Sequence, residues 1–190
     1  MRRSTIRPAR LGAALALLAT AILVAKGQTP PQQAPPIRPD VIWIATDDPA
    51  VNGMLAIAKV TKTDVVYDLG CGDGKILIAA ARKFGARGVG VEIDPEQVKH
   101  AKAAVIAAGV SDKVTIIQGD IFDPAIKIGD ATVVMLYLLQ SLNIRLMPRL
   151  QKELKPGTRI VSNAFHMGTT WPALQSQEVE NTTIYLWTIK

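Results

Sequence analysis

The sequence predicts an α/β fold, a mostly parallel sheet with helices on both faces, and three observations predict it. From Thr63 onward, short apolar runs alternate with helical stretches; the first run ends in a cluster of glycines; the chain closes on two strand-like runs with no room for a helix between them. The 190 residues suffice for one domain with some chain left over. Apolar residues at 48% and charged residues at 20% place it among globular proteins, and a single cysteine excludes a disulfide framework.

The chain opens with Arg2, Arg3, Arg7 and Arg10, followed by an apolar run over 11–25 broken only by Gly12 and Thr20. This is the order of the charged and apolar regions of a secretory signal. A helix over 11–25 would reach only about 22 Å, short of the roughly 30 Å hydrocarbon core. Residues 1–27 therefore read as a signal peptide or an N-terminal membrane anchor, with Ala25-Lys26-Gly27 as a small-x-small cleavage point. Residues 28–40 carry prolines at 30, 31, 35, 36 and 39 and read as an extended linker, leaving 41–190 as the folded domain. The formal charge of +6 sits mostly in the leader: the 22 basic and 16 acidic side chains become 17 and 16 over residues 28–190, a net +1. Near-neutrality removes the electrostatic case for a nucleic-acid partner.

The first strand is 65–69, apolar apart from Tyr67 and Asp68. A helix over 74–84 follows and stops at Gly85, suited to a left-handed cap. After a second strand at 88–93, Asp94 caps a helix with Pro95 first and Gln97 third. Val98, Ala101, Val105 and Ala108 share one face of it until Gly109. Strands at 114–118 and 131–138 come next. A helix over 141–154 carries Leu142, Leu146, Leu150 and Leu154, and Pro148 is expected to kink or restart it. Lys155-Pro156-Gly157 turns into a fifth strand at 158–165, and strands at 173–180 and 182–190, joined at Asn181, complete the sheet.

Chemistry gathers at the carboxyl ends of the strands, where such sheets bind ligands. Gly70, Gly72 and Gly74 let the backbone approach a ligand where a side chain would collide. A dinucleotide fingerprint needs its third glycine where Lys75 stands, and no Gly-Lys-Ser/Thr closes a P-loop. Asp68 is a poor neighbour for a pyrophosphate but a good one for the ammonium and sulfonium of S-adenosylmethionine. Cys71 sits inside the loop where a small residue is needed, and it carries no redox role. Glu92, followed by Ile93, ends the second strand, where a carboxylate can accept from both ribose hydroxyls. Asp120 ends the third strand, where an acid can accept from an adenine amino group while the amide of Ile121 meets the ring.

Asp68-Leu69-Gly70-Cys71-Gly72-Asp73-Gly74, Glu92, Gly119-Asp120 and Leu154-Lys155-Pro156-Gly157 resemble the motifs of class I S-adenosylmethionine-dependent methyltransferases. The resemblance spans residues 65–165 and implies a Rossmann-like seven-stranded sheet of order 3-2-1-4-5-7-6, S-adenosylmethionine as the cofactor and no metal. No Asn/Asp-Pro-Pro-aromatic run follows the fourth strand, which disfavours adenine and glutamine amide nitrogens as acceptors. Tyr137-Leu138-Leu139, Asn143, Leu146, Pro148 and the run 154–162 are similar to the prokaryotic and mitochondrial protein-lysine methyltransferases of the ATP synthase c-subunit and the adenine nucleotide translocase. Their aromatic-x-Pro-Thr/Ser run appears as Trp43-Ile44-Ala45-Thr46 without the proline, and the acid often found at position 164 is alanine.

This similarity implies a protein lysine as acceptor, membrane proteins included. A small-molecule methyltransferase and a non-catalytic cofactor-binding module at a membrane are the alternatives. Tyr137 is the candidate for orienting the acceptor, with packing as its other reading; Thr46 and Trp43 are candidates for the wall of the opening, Trp43 also for the core. His166 reads as a proton shuttle or a surface histidine, and His100 as solvated. The expected place is membrane-associated or exported through residues 11–25, at odds with a cofactor made in the cytoplasm.

Overall fold

Helices and strands alternate up to β3 and again around α4, while β3 leads to β4 and β5 leads to β6 and β7 without a helix between: α1 (Asp48–Ile57), β1 (Val65–Leu69), α2 (Lys75–Phe84), β2 (Arg87–Glu92), α3 (Pro95–Ala107), β3 (Val114–Gln118), β4 (Val133–Leu136), α4 (Gln140–Glu153), β5 (Arg159–Asn163), β6 (Gln175–Val179) and β7 (Thr182–Thr188). The computed structural model describes residues 46–190, so the leader at 1–27, the linker at 28–40 and Trp43 lie outside the described residues. The strands form one sheet in the order β3-β2-β1-β4-β5-β7-β6. All neighbours pair in parallel except β7, which is antiparallel to β5 and β6. This is the Rossmann-like sheet expected above.

β1 and β3 match their expected bounds, and β4 is shorter at both ends because its ladder with β1 runs only from Val66↔Val133 to Leu69↔Leu136. Tyr137 therefore stands just past a strand end, on the rim where ligands enter. β5 likewise stops at Asn163, and Ala164 turns the chain at φ +64°.

Two expectations need correction. The sequence assigns no element to residues 48–57, yet Asp47 caps α1 by accepting from Ala50 N at 2.9 Å, with Pro49 in the first turn. Asn52 and Gly53 dilute the helical signal, and Gly53 is there for packing. A Cβ on it would lie 2.6 Å from Ile184 Cδ1 and 2.9 Å from Val179 Cγ2, so its absence lets α1 lie directly on β6 and β7. Pro148 does not restart α4, which is continuous across it with the proline exposed.

The core has two halves, one on each side of the sheet. Val51, Met54 and Leu55 of α1, Ile76, Leu77 and Ala80 of α2, and Val98, Ala101 and Val105 of α3 cover one face. Leu146 and Leu150 of α4 pack on the other, over Tyr67, Val134, Ile160 and Trp187. Since β1 lies between β2 and β4, all five of its residues are buried, as in a parallel sheet covered on both faces.

The amino-terminal edge of the sheet is tied by Asp64. Its Oδ1 accepts from Thr132 Oγ1 at 2.7 Å and pairs with Arg159, while its Oδ2 accepts from Thr61 N at 2.7 Å. Burial pushes its carboxyl up, but the Thr132 and Thr61 hydrogen bonds and the Arg159 charge outweigh it, so the pKa falls below the ordinary 3.8. With the folded value depressed, this stabilisation is present above the unfolded value and lost as pH falls through the folded one. Asp64→Ala should cost about 3 kcal/mol at pH 7, and the gap from the parent should shrink below pH 4, which urea melts at both pH values would measure. An unchanged gap at pH 3 would contradict the assignment.

Candidate functional site

Past the carboxyl ends of β1 to β4 lies a cavity of about 500 Å³. It is lined by Thr46, Asp68, Gly70, Cys71, Glu92, Ile93, Asp120, Ile121 and Tyr137 of the expected residues. Gly72 and Gly74, read above as cofactor contacts, do not line it; they shape the turn behind it. Gly72 N donates to Glu92 Oε2 at 2.9 Å, and Gly74 is the left-handed cap that starts α2, at φ +77°.

Asp68, next to last in β1, is almost fully buried, and among the described residues its Oδ2 has no hydrogen-bond partner. Burial, then the charges of Glu92 and Asp73, push its carboxyl up to about 8. A cation in the cavity that Asp68 lines would favour its charged form and meet the unpartnered oxygen, and the ammonium of S-adenosylmethionine fits that requirement.

Glu92 is more committed than the sequence suggests. Its Oε1 accepts from Ile93 N at 2.8 Å and Asp94 N at 3.0 Å, and its Oε2 from Gly72 N. A carboxylate has about four lone-pair positions, so one on Oε2 remains for a ribose hydroxyl. Glu92 thus binds the glycine loop to the end of β2 before it binds any ligand. Asp120 Oδ1 accepts from Phe122 N at 2.8 Å, and no other residue among those described bonds its Oδ2.

Cys71 is buried, and burial together with Asp68 and Glu92 pushes its thiol up, so it stays protonated. Its sulfur occupies the space above Gly90, where a Cβ would meet Sγ at 2.6 Å.

Several contributors carry no signal in the sequence. Lys75 Nζ donates to Thr46 O at 2.9 Å and pairs with Asp48 at 2.8 Å, which fixes the chain before α1 at the cavity edge. The Arg149 guanidinium donates to the carbonyls of Ile121 and Ile126 and is held by Glu153 at 3.0 Å. One turn earlier, Arg145 lies 3.7 Å from the ring centroid of Phe122. Both arginines steady the loop that carries Ile121 and Phe122, and nothing in their spacing distinguishes them from surface charges on α4. Phe165, read in the sequence as the last residue of the fifth strand, lies two residues past the end of β5 and joins the cavity wall.

His166 is not part of the lining. Its Nδ1 accepts from Gly168 N at 2.9 Å and its ring meets Tyr185 edge-on, so the shuttle reading has no geometry behind it; His100 is exposed as expected.

Comparison with known proteins agrees with this geometry. The family described as the ANTKMT methyltransferase domain matches residues 68–174. A protein-lysine N-methyltransferase of Saccharolobus islandicus is 44% identical over 156 residues, 80% of this chain and 95% of that protein. The adenine nucleotide translocase lysine N-methyltransferase of Mus musculus is 30% identical over 137 residues, 72% of this chain and 58% of that protein. Among solved structures, an RNA methyltransferase from Salinibacter ruber in complex with S-adenosyl-L-homocysteine is 51% identical with a TM-score of 0.74, covering 77% of this chain and 94% of that one.

Proposed function

Because the chain belongs to the ANTKMT methyltransferase domain family and is an S-adenosylmethionine-dependent methyltransferase, we propose that its acceptor is a lysine side chain of a protein. The cavity's charge carries this reading. Asp73, Glu92, Asp94 and Asp120 line it, with Asp68 adding its charge once it ionises, and Lys75 is the one cation among the described lining residues, a field that draws an amine and repels a polyanion. The names of the two lysine-methylating relatives support the same class, whereas the Salinibacter ruber protein is named for RNA.

S-adenosylmethionine, when bound, would supply a methyl carbon open to attack by an unprotonated amine: the N–C bond forms as the C–S bond breaks, and the electron pair leaves on sulfur as a neutral thioether. Asp68 and Asp120 would hold it, Glu92 fixes the loop that would receive it, and the acceptor would enter past Tyr137 and Thr46. Lysine, with a pKa of about 10.4, arrives protonated and gives its proton to water on desolvation.

The test is transfer of radiolabelled methyl into a membrane-protein extract, followed by mass spectrometry of lysines. Lysine label is the expected result. Nuclease-sensitive label would move the acceptor to RNA, label confined to a low-mass fraction would favour a small molecule, and cofactor binding without label would leave a binding module. Tyr137→Phe should lower turnover about tenfold with S-adenosylmethionine affinity unchanged, because the hydroxyl would meet the acceptor. Parent-like turnover would assign the ring to packing against Phe165. The arginine-led apolar run at 11–25 supports a place at a membrane surface, which fractionation of the native protein with N-terminal sequencing would test.

A further inference from the structure

We infer that Phe165 forms the acceptor's path together with Tyr137, and that the buried Asn143 is the residue that positions it; the path's occupant rests on the lysine reading above. Phe165 follows the end of β5 and lines the cavity, its ring centroid 6.4 Å from that of Tyr137 with 30° between the planes. Two such faces, apolar with a negative quadrupole, suit the methylene stem of a lysine and the cationic nitrogen at its end.

The chain does not reach this position by relaxed strand geometry. Ala164 sits at φ +64°, a conformation that side-chain-bearing residues rarely adopt, so something must hold the turn. Its amide donates to Thr183 O at 2.9 Å, and the Phe165 carbonyl is gripped twice. It accepts from Ser162 Oγ at 2.6 Å and from Asn143 Nδ2 at 3.0 Å, and Asn143 Nδ2 also donates to Ser162 Oγ at 3.1 Å.

Asn143 is wholly buried in α4, on the helix that also buries Leu146 and Leu150, and among the described residues its Oδ1 has no partner. Packing alone would favour leucine there, because a buried amide with an unmet oxygen costs free energy. What the amide provides is the hold on Phe165. Asn143 touches neither cofactor nor acceptor and acts through the ring it places.

The experiment uses the full chain carrying fluorinated phenylalanine, which reports on Phe84, Phe122 and Phe165. Asn143→Leu removes the unmet oxygen and leaves Ser162 bonded to the Phe165 carbonyl, so the variant should fold. Its Phe165 fluorine resonance should shift or broaden while those of Phe84 and Phe122 stay put. Phe165→Ala and Asn143→Leu should each raise KM for the protein acceptor at least tenfold, with S-adenosylmethionine affinity within twofold of the parent. Phe165→Tyr should recover most of the loss seen in Phe165→Ala. Should Asn143→Leu fail to fold, Ser162→Ala strips the other donor and should move resonance and KM the same way. A parent-like KM in these variants, or an unmoved Phe165 resonance, overturns the inference. If the parent labels no lysine, the lysine reading fails on its own; the resonance still decides the positioning, and KM is then read on whichever acceptor is labelled.

Discussion

Asp68→Asn is expected to lose at least a hundredfold in S-adenosylmethionine affinity at pH 7.5, about 2.7 kcal/mol, while keeping its fold. In the free protein the Asp68 carboxyl is pushed up to about 8, first by burial and then by Glu92 and Asp73, so near neutrality it is mostly protonated. A bound cation favours the charged form, and binding must therefore expel a proton. Affinity should climb with pH by nearly tenfold per unit well below 8 and level off above it, and a calorimetric series in buffers of different ionisation enthalpy should register the released proton. Asn at this position has no proton to release and should flatten both signals. The stability sign runs the other way. A carboxyl whose folded pKa exceeds its unfolded value weakens the fold as pH rises from the ordinary 3.8 to about 8. Asp68→Asn should thus melt at or above the parent temperature at pH 8. A variant that binds as tightly as the parent, or shows the same pH slope, would remove Asp68 from the cofactor site.

Glu92→Ala should damage both fold and binding. Three backbone amides, those of Gly72, Ile93 and Asp94, lose their acceptor in a place where Glu92 is 7% exposed, at a cost of about 3 kcal/mol or roughly 10 °C in melting temperature. Cofactor affinity should fall at least tenfold because the glycine loop loses its anchor as well as its ribose partner. Glu92→Gln should fall between the two. Its oxygen can keep the Ile93 and Asp94 amides, but its NH2 would face the Gly72 N–H, donor against donor. Thermal melts ranking alanine level with glutamine would contradict this division of labour.

Much of this was legible because each element carried its own punctuation. Asp94-Pro95 opens α3 and Gly85 closes α2 in the left-handed conformation, as their residue types required. The acids at 68, 92 and 120 could be placed together because a parallel sheet brings its carboxyl ends to one crevice. What stayed hidden depends on distance in the fold. Gly53 looks like a helix breaker until Ile184 and Val179 are seen against it. Arg149 and Asn143 look like one surface charge and one stray amide on α4, and only their carbonyl partners, at Ile121 and Phe165, reveal what they hold. The capacity of Glu92 to serve the backbone was equally invisible, since a residue letter does not say how many of its lone pairs are already taken.

The contact between Cys71 and Gly90 has a consequence for how this sequence can drift. The loop and the second strand share the volume of one small side chain, and at present the thiol fills it while the strand contributes nothing. A Cβ at position 90 would also meet Ile116 Cδ1 at 2.8 Å and Leu77 Cδ1 at 2.9 Å, so the strand cannot grow merely because the loop shrinks. The exchange is therefore one-way: position 71 can trade among small residues on its own, whereas position 90 is open to substitution only along a path that first empties three neighbours. The two sites will wander through related sequences at unequal rates, although a single contact joins them.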